Sequence, residues 1–144
     1  MNAFTGPGSS VSRYLLDSSV WVAARSPAEP FYAAAQEMVV DWEWQTAALD
    51  LTLYEVANAI GVKRGDAIVA ARACRSIEIR CKEDLVCVDG GLIEATVKIA
   101  LEQGLTSYDA AYVAVARRND WTLVSTDIRD LVSQGLAVTP DACV

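Results

Sequence analysis

The sequence predicts an α/β fold in three layers, a central parallel sheet flanked by helices. Three observations predict it. Short apolar runs such as Tyr14-Leu15-Leu16 and Leu123-Val124 lack polar alternation, as strands buried on both faces do. Longer segments carry apolar residues at helical spacing, as Leu53, Val56, Ala57 and Ile60 do. The two kinds of segment alternate along the chain, which favours parallel pairing through helical crossovers.

In chain order, residues 13–16 read as a buried strand that ends abruptly in Asp17; two serines and a second apolar run follow. Residues 29–40 read as a helix with Pro30 tolerated in its first turn. A second strand is expected within 42–48, "WEWQTAA", and helices over 52–63 and the alanine-rich 66–80. Val86-Cys87-Val88 is a short strand candidate. Residues 90–103 form a helix with Leu92, Ala95 and Ile99 in phase, stopped by Gly104. Residues 107–118 give a helix, 121–124 a strand, 129–134 a short helix and 137–138 a last strand.

The chain of 144 residues fits one domain, expected over 13–144, behind a flexible leader over 1–12. It lacks a secretory signal and any apolar segment long enough to span a bilayer, so a cytoplasmic location without membrane contact is expected. A net charge of −7 argues against a protein that grips nucleic acid by charge alone. The four cysteines form no Cys-x-x-Cys pair, and there is no histidine. Structural zinc and His-based nucleophilic catalysis are thereby excluded, and the cysteines are expected to be reduced and buried. Chemistry must rest on carboxylates, hydroxyls, lysines or a metal.

Ligands of an open parallel sheet bind outside the carboxyl ends of its strands. Four acids fall on that edge. Asp17 ends the first strand, Asp127 follows Leu123-Val124, and Glu55 and Asp109 lie in the first turns of helices. Each has a simpler reading. Thr52-x-x-Glu55 matches a capping box; Asp109 suits the positive end of its helix; Asp17 and Asp127 suit turns. Asp130 reads as a solvated helix residue. These readings explain single residues better than they explain four acids on one edge. Carboxylates packed together repel, and a divalent cation reverses that cost. Oxygen-only ligands select Mg²⁺ or Mn²⁺, and such a site suits phosphodiester hydrolysis.

The segments "YLLDSSVWVAA", "TLYEVANAI", "TSYDAAYVAVA" and "LVSTD" resemble the four signature segments of PIN-domain nucleases, and more narrowly those of VapC-type toxins of toxin–antitoxin pairs. Order and spacing fit across nearly the whole chain after the leader. The resemblance implies a Mg²⁺- or Mn²⁺-dependent endoribonuclease leaving 5′-phosphate and 3′-hydroxyl ends. It implies Asp17, Glu55 and Asp109 as the main metal-site acids and Asp127 as the fourth, variable one. Ser19 matches the family's small polar position, to orient Asp17 or touch a phosphate, and Ser125 its hydroxyl two before the last acid. The expected partners are an RNA substrate, a cognate antitoxin that places a basic side chain in the acidic site, and a second copy in a homodimer.

Candidate cations near RNA are Arg25, Lys63-Arg64, Arg72, Arg75, Arg117-Arg118 and Arg129. The two paired sets close helices, where cations favour the dipole, which leaves Arg25 and Arg129 as the better substrate contacts. Trp21 and Trp121 read as core, and one of Trp42 and Trp44 as exposed. A haloacid-dehalogenase-type phosphatase would need an aspartate where Ser19 stands. A receiver domain would need a lysine after Lys98, and a nucleotide-binding module a glycine-rich loop. The remaining alternatives are a degenerate, non-catalytic PIN interaction module and an RNA-processing PIN nuclease outside toxin–antitoxin systems.

Overall fold

The computed structural model describes residues 12–144, so the leader expected over 1–12 lies, Ser12 apart, outside the described residues. Four strands, β1 (Tyr14–Leu16), β2 (Thr46–Leu49), β3 (Leu85–Val86) and β4 (Thr122–Val124), form a parallel sheet in the order β3-β2-β1-β4. Leu15 stands opposite Ala47 and Leu123, and Leu16 opposite Val124. The helices are α1 (Ser18–Ala23), α2 (Tyr32–Val40), α3 (Asp50–Val56), α4 (Ala67–Cys81), α5 (Gly90–Gln103) and α6 (Ser107–Asn119).

The period-two alternation of strands sorts the core into two layers. Leu15, Ala47, Leu49 and Leu123 face Leu92 and Ile99 of α5 and the apolar side of α6. Leu16, Ala48 and Val124 face Val20 and Trp21 of α1, Met38 of α2, Val56 of α3 and Ile77 of α4. Leu15 and Leu16 are fully buried on opposite faces, each contributing on the order of 1.5–3 kcal/mol. The adjacent leucines of β1 are therefore the centre of a sandwich of helix, sheet and helix, as the sequence predicts. Trp21 is buried in it, and Trp121 packs half-buried against it.

Local boundaries differ for physical reasons. The apolar run after Asp17, given no class from sequence, is helix α1, because Asp17 caps it. The second strand starts at Thr46 rather than at 42; Trp42 lies in a turn with Arg80 over its ring, and Trp44 packs edge-on to Tyr14 at 5.2 Å. Pro30 falls in a turn ahead of α2, which begins at Tyr32. Helix α3 starts at Asp50, whose carboxylate accepts the N–H groups of Leu51 and Val88. It then widens over Ala57–Val62, where Lys63 N–H bonds the carbonyl of Asn58. Gly104 stops α5 at φ 69°, as expected of a left-handed cap. The strand expected at 137–138 is one bridge, Val138 beside Val124.

The cysteine expectation holds only in part. All four are free, but only Cys81 is buried, with its thiol pushed up to about 12 by that burial; Cys74 and Cys143 are half-buried and Cys87 is exposed. Cys87 escapes burial because β3 ends at Val86. No described helix is long and apolar enough to cross a membrane.

Thr96 of α5 is fully buried, and its hydroxyl has no hydrogen-bond partner among the described residues. Valine has the same shape without the unpaired group. Thr96→Val is expected to raise the urea midpoint at unchanged m-value, by a stability gain on the order of 1 kcal/mol. A lowered midpoint would contradict the burial geometry.

Candidate active site

Asp17 leaves the end of β1 with its N–H bonded to the carbonyl of Val124, 3.1 Å away. One carboxylate oxygen accepts the N–H of Ser19 at 3.0 Å and also the Ser19 hydroxyl. Having given its proton to Asp17, Ser19 Oγ accepts the N–H of Thr126 at 3.0 Å and lies 3.5 Å from Ser125 Oγ. Ser125, fully buried, accepts the N–H of Asp127 at 3.0 Å. Two hydroxyls thus tie the turn after β1 to the turn after β4. Asp17 is 6% exposed, and burial raises its carboxyl from 3.8 to about 6. The Ser125 and Ser19 hydroxyls and the Val20 backbone pull it back, while Glu55 adds to the rise.

Glu55 is held from the other side. Tyr112 of α6, 1% exposed, donates its phenolic proton to Glu55 Oε1 at 2.6 Å. Its oxygen lies 2.8 Å from Thr52 Oγ1, which accepts the N–H of Leu49 at 3.2 Å. Tyr112 has one proton and spends it on Glu55, so Thr52 donates to Tyr112. The result is a directional chain, Leu49 N–H to Thr52 to Tyr112 to Glu55, in which each bond strengthens the next. Burial, then the Glu55 charge, keeps the Tyr112 phenol protonated, well above its usual range. Because α3 begins at Asp50, Thr52 is the residue that satisfies the helix start, and Glu55 is free of the capping-box role.

Asp109 lies in the first turn of α6, its N–H capped by the Thr106 hydroxyl at 3.2 Å. Asp127 caps the turn Ile128–Val132 by accepting the N–H of Asp130 at 3.0 Å. One carboxylate oxygen from each of Asp109, Asp127 and Asp130 falls within 4.8 Å of the others. Burial raises the Asp109 carboxyl, and Asp127, Glu55 and Asp130 raise it further, in that order. Asp130 is a half-exposed helix residue, as its sequence suggests, and the structure adds that its turn brings it beside Asp109 and Asp127. Asp17 and Glu55 are not in that close group; Asp17 adjoins it through Ser19, which bonds the backbone of Thr126 next to Asp127, and Glu55 through Tyr112, one turn along α6 from Asp109.

Arg129 is on this rim, its side chain 92% exposed and 3.5 Å from Asp130. Arg25 follows the far end of α1 from Asp17. Lys63 and the pair Arg117-Arg118 close helices, as their spacing suggests. Sequence reasoning missed Tyr112 and gave Thr52 only a capping role. A cue for Tyr112 was present: it stands three residues after Asp109, on the same helix face, inside an otherwise apolar run.

The donor set fits a hard divalent cation. It is all oxygen, strongly negative, half-buried, and convergent from separate elements. Such an ion would also relieve the charge repulsion that raises Asp109.

In chelated protein, the raised Asp17 carboxyl has a sign. Its folded value of about 6 exceeds the unfolded one of 3.8, so its contribution is favourable below the unfolded value and is lost as pH rises through 6. Asp17→Asn keeps the oxygen that accepts from Ser19 and removes the buried charge. With chelator, the variant is expected to be more stable than the parent at pH 8, by roughly 3 kcal/mol, with the gap closing at pH 4. Equal melting temperatures at pH 8 would overturn this.

A family sequence profile, described as PIN domain, matches residues 14–132. "Exonuclease VapC9" of Pyrobaculum aerophilum is 32% identical over 122 residues, 84% of each chain. The toxin–antitoxin complex from Klebsiella pneumoniae superposes with a TM-score of 0.66 at 20% identity, over 88% of this chain and 97% of that one. Mycobacterium tuberculosis VapC20, a sarcin–ricin-loop-cleaving toxin, gives 0.64 at 18% identity, over 85% and 95%.

Proposed function

The chain belongs to the PIN-domain family, and from that premise we propose that residues 13–144 form one Mg²⁺- or Mn²⁺-dependent endoribonuclease domain, the cytoplasmic toxin of a toxin–antitoxin pair. The observation that supports this reading is the convergence of Asp109, Asp127 and Asp130, with Asp17 tied beside them through Ser19 and Glu55 through Tyr112. The catalytic and metal-holding residues are Asp17, Glu55, Asp109 and Asp127, with Asp130 beside them. When bound, the cation would supply charge stabilisation for the phosphate and activation of the attacking water.

The remaining work falls to the chain's own groups. The Ser19 and Ser125 hydroxyls fix Asp17 and the turn that presents Asp127. Tyr112 orients Glu55, and its buried proton does not leave at working pH. Half-exposed acids at an open rim leave the approach free to a strand, and exposure beside Asp130 supports Arg129 as a phosphate contact.

Partners follow from the same surface. A rim with five acids attracts a basic group, which suits an antitoxin side chain as inhibitor; the Klebsiella neighbour is a toxin–antitoxin complex. The sarcin–ricin-loop activity of VapC20 supports RNA as the substrate class. A homodimer is supported by an apolar trough of about 670 Å³ between α3, α5 and α6, lined by Leu51, Tyr54, Ile93 and Tyr108, with Tyr54 81% exposed. Burying such a face is favourable on association.

Asp17→Asn and Asp109→Asn are each expected to abolish Mn²⁺-dependent cleavage of labelled RNA while circular dichroism stays unchanged. Full cleavage by both variants, or by the parent in excess chelator, would sink the reading. VapC9 is named an exonuclease, so a circular RNA is the discriminating substrate. Linearisation is expected of an endonuclease; an intact circle beside shortened linear RNA would make this chain an exonuclease.

Tyr112→Phe retains the ring and removes the proton given to Glu55. We expect kcat to fall about 10- to 100-fold, the cost usual for losing an orienting partner, with KM nearly constant. An unchanged kcat would show that Glu55 needs no such support.

A further inference from the structure

A second surface lies away from the acids. α4 has two stripes. Ala70, Ala73, Ile77 and Cys81 face the core. Arg72, Arg75 and Ile79 repeat at helical spacing on an exposed side. With Val40 and Trp42 from the end of α2 and the turn after it, and with Arg80, they line a trough of about 390 Å³. Among the described residues no acidic one lines it, although the chain carries a net charge of −7. Neither Arg72 nor Arg75 forms an ion pair among the described residues.

Trp42 is 61% exposed, yet it is held. The Arg80 guanidinium sits 4.5 Å from its ring centroid and is itself anchored by the carbonyls of Met38, Asp41 and Trp44. A fixed, exposed tryptophan costs little conformational entropy on binding, and interface anchors are drawn from Trp and Arg. Exposed Val40 (63%) and Ile79 (53%) supply apolar neighbours.

We propose that this trough between α2 and α4 docks an acidic, apolar-tipped segment of a protein partner. The apolar tip packs on Trp42 and Ile79, and flanking carboxylates meet Arg72 and Arg75. Charge complementarity favours this occupant over a second copy paired two-fold through this face, which would bring the same arginines. It is favoured over the RNA substrate by position. Trp42 and Arg80 adjoin Arg13 and Thr46 at the start of the strands, the edge opposite Asp17. The inference does not depend on the nuclease reading.

The test sorts a phage-displayed library of random 16-residue peptides on the full chain, against the Arg72→Glu/Arg75→Glu variant and against Trp42→Ala. These side chains are exposed, so circular dichroism of the variants should match the parent. Enriched peptides are expected to carry Asp or Glu flanking Leu, Phe or Trp. They should bind the parent at least tenfold more tightly than either variant, and less tightly in 0.5 M NaCl than in 0.05 M. Enrichment of basic or uncharged peptides, or equal binding to parent and variants, overturns the proposal. So does a parent dimer in sedimentation that Trp42→Ala dissociates, or displacement of the peptides by a 20-nucleotide oligouridine. RNA cleavage, measured on the same preparations, stands or falls separately.

Discussion

The structure turns on a carboxylate buried at the end of its central strand. Leu15 and Leu16 occupy opposite faces of β1, and Asp17 follows them with almost no exposure. A buried, unpaired carboxylate is costly, and the fold surrounds this one with donors rather than with a cation from a side chain. The backbone of α1 and the hydroxyl of Ser19 face it, and Ser19 in turn holds the backbone after β4. The same contacts that make Asp17 tolerable join the first and last parts of the sheet.

Glu55 is treated differently. It is half-buried, and its support comes through Tyr112 and Thr52 from the backbone of Leu49. That chain links the end of β2, the start of α3 and the face of α6. Thr52 and Tyr112 each donate one bond and accept one, so they hold Glu55 Oε1 from a fixed direction. Asp109 has fewer direct partners; burial raises its carboxyl, and the charges of Asp127, Glu55 and Asp130 raise it further. The rim therefore grades from a stapled carboxylate at Asp17 to a repelling, half-exposed group at Asp109. That gradient suits a site whose balance is completed from solution.

Charge is divided by position. The acids of the candidate site gather at the carboxyl ends of the strands, while Arg80, Arg72 and Arg75 line a trough toward the opposite edge, where Glu83 and Asp84 also lie. A net charge of −7 conceals this separation. Fields of opposite sign on two faces can each recruit a different partner, which a total charge cannot describe.

Much was legible in the residues. Unalternated runs gave buried strands, the spacing of Leu92 and Ile99 gave a core-facing helix, and Gly104 marked its end. Strand ends and helix starts placed Asp17, Glu55, Asp109 and Asp127 on one edge before any coordinates, because a parallel sheet has only one such edge. What the chain alone determined is thus the layer order and the side on which the acids lie; both follow from periodicity and connection rules that act locally. Tertiary structure alone decided the rest. Asp130 joins Asp109 because the turn Ile128–Val132 folds back, and Tyr112 reaches Glu55 across two helices. Contacts between residues 57 positions apart depend on how helices pack against each other, and no local pattern encodes that distance.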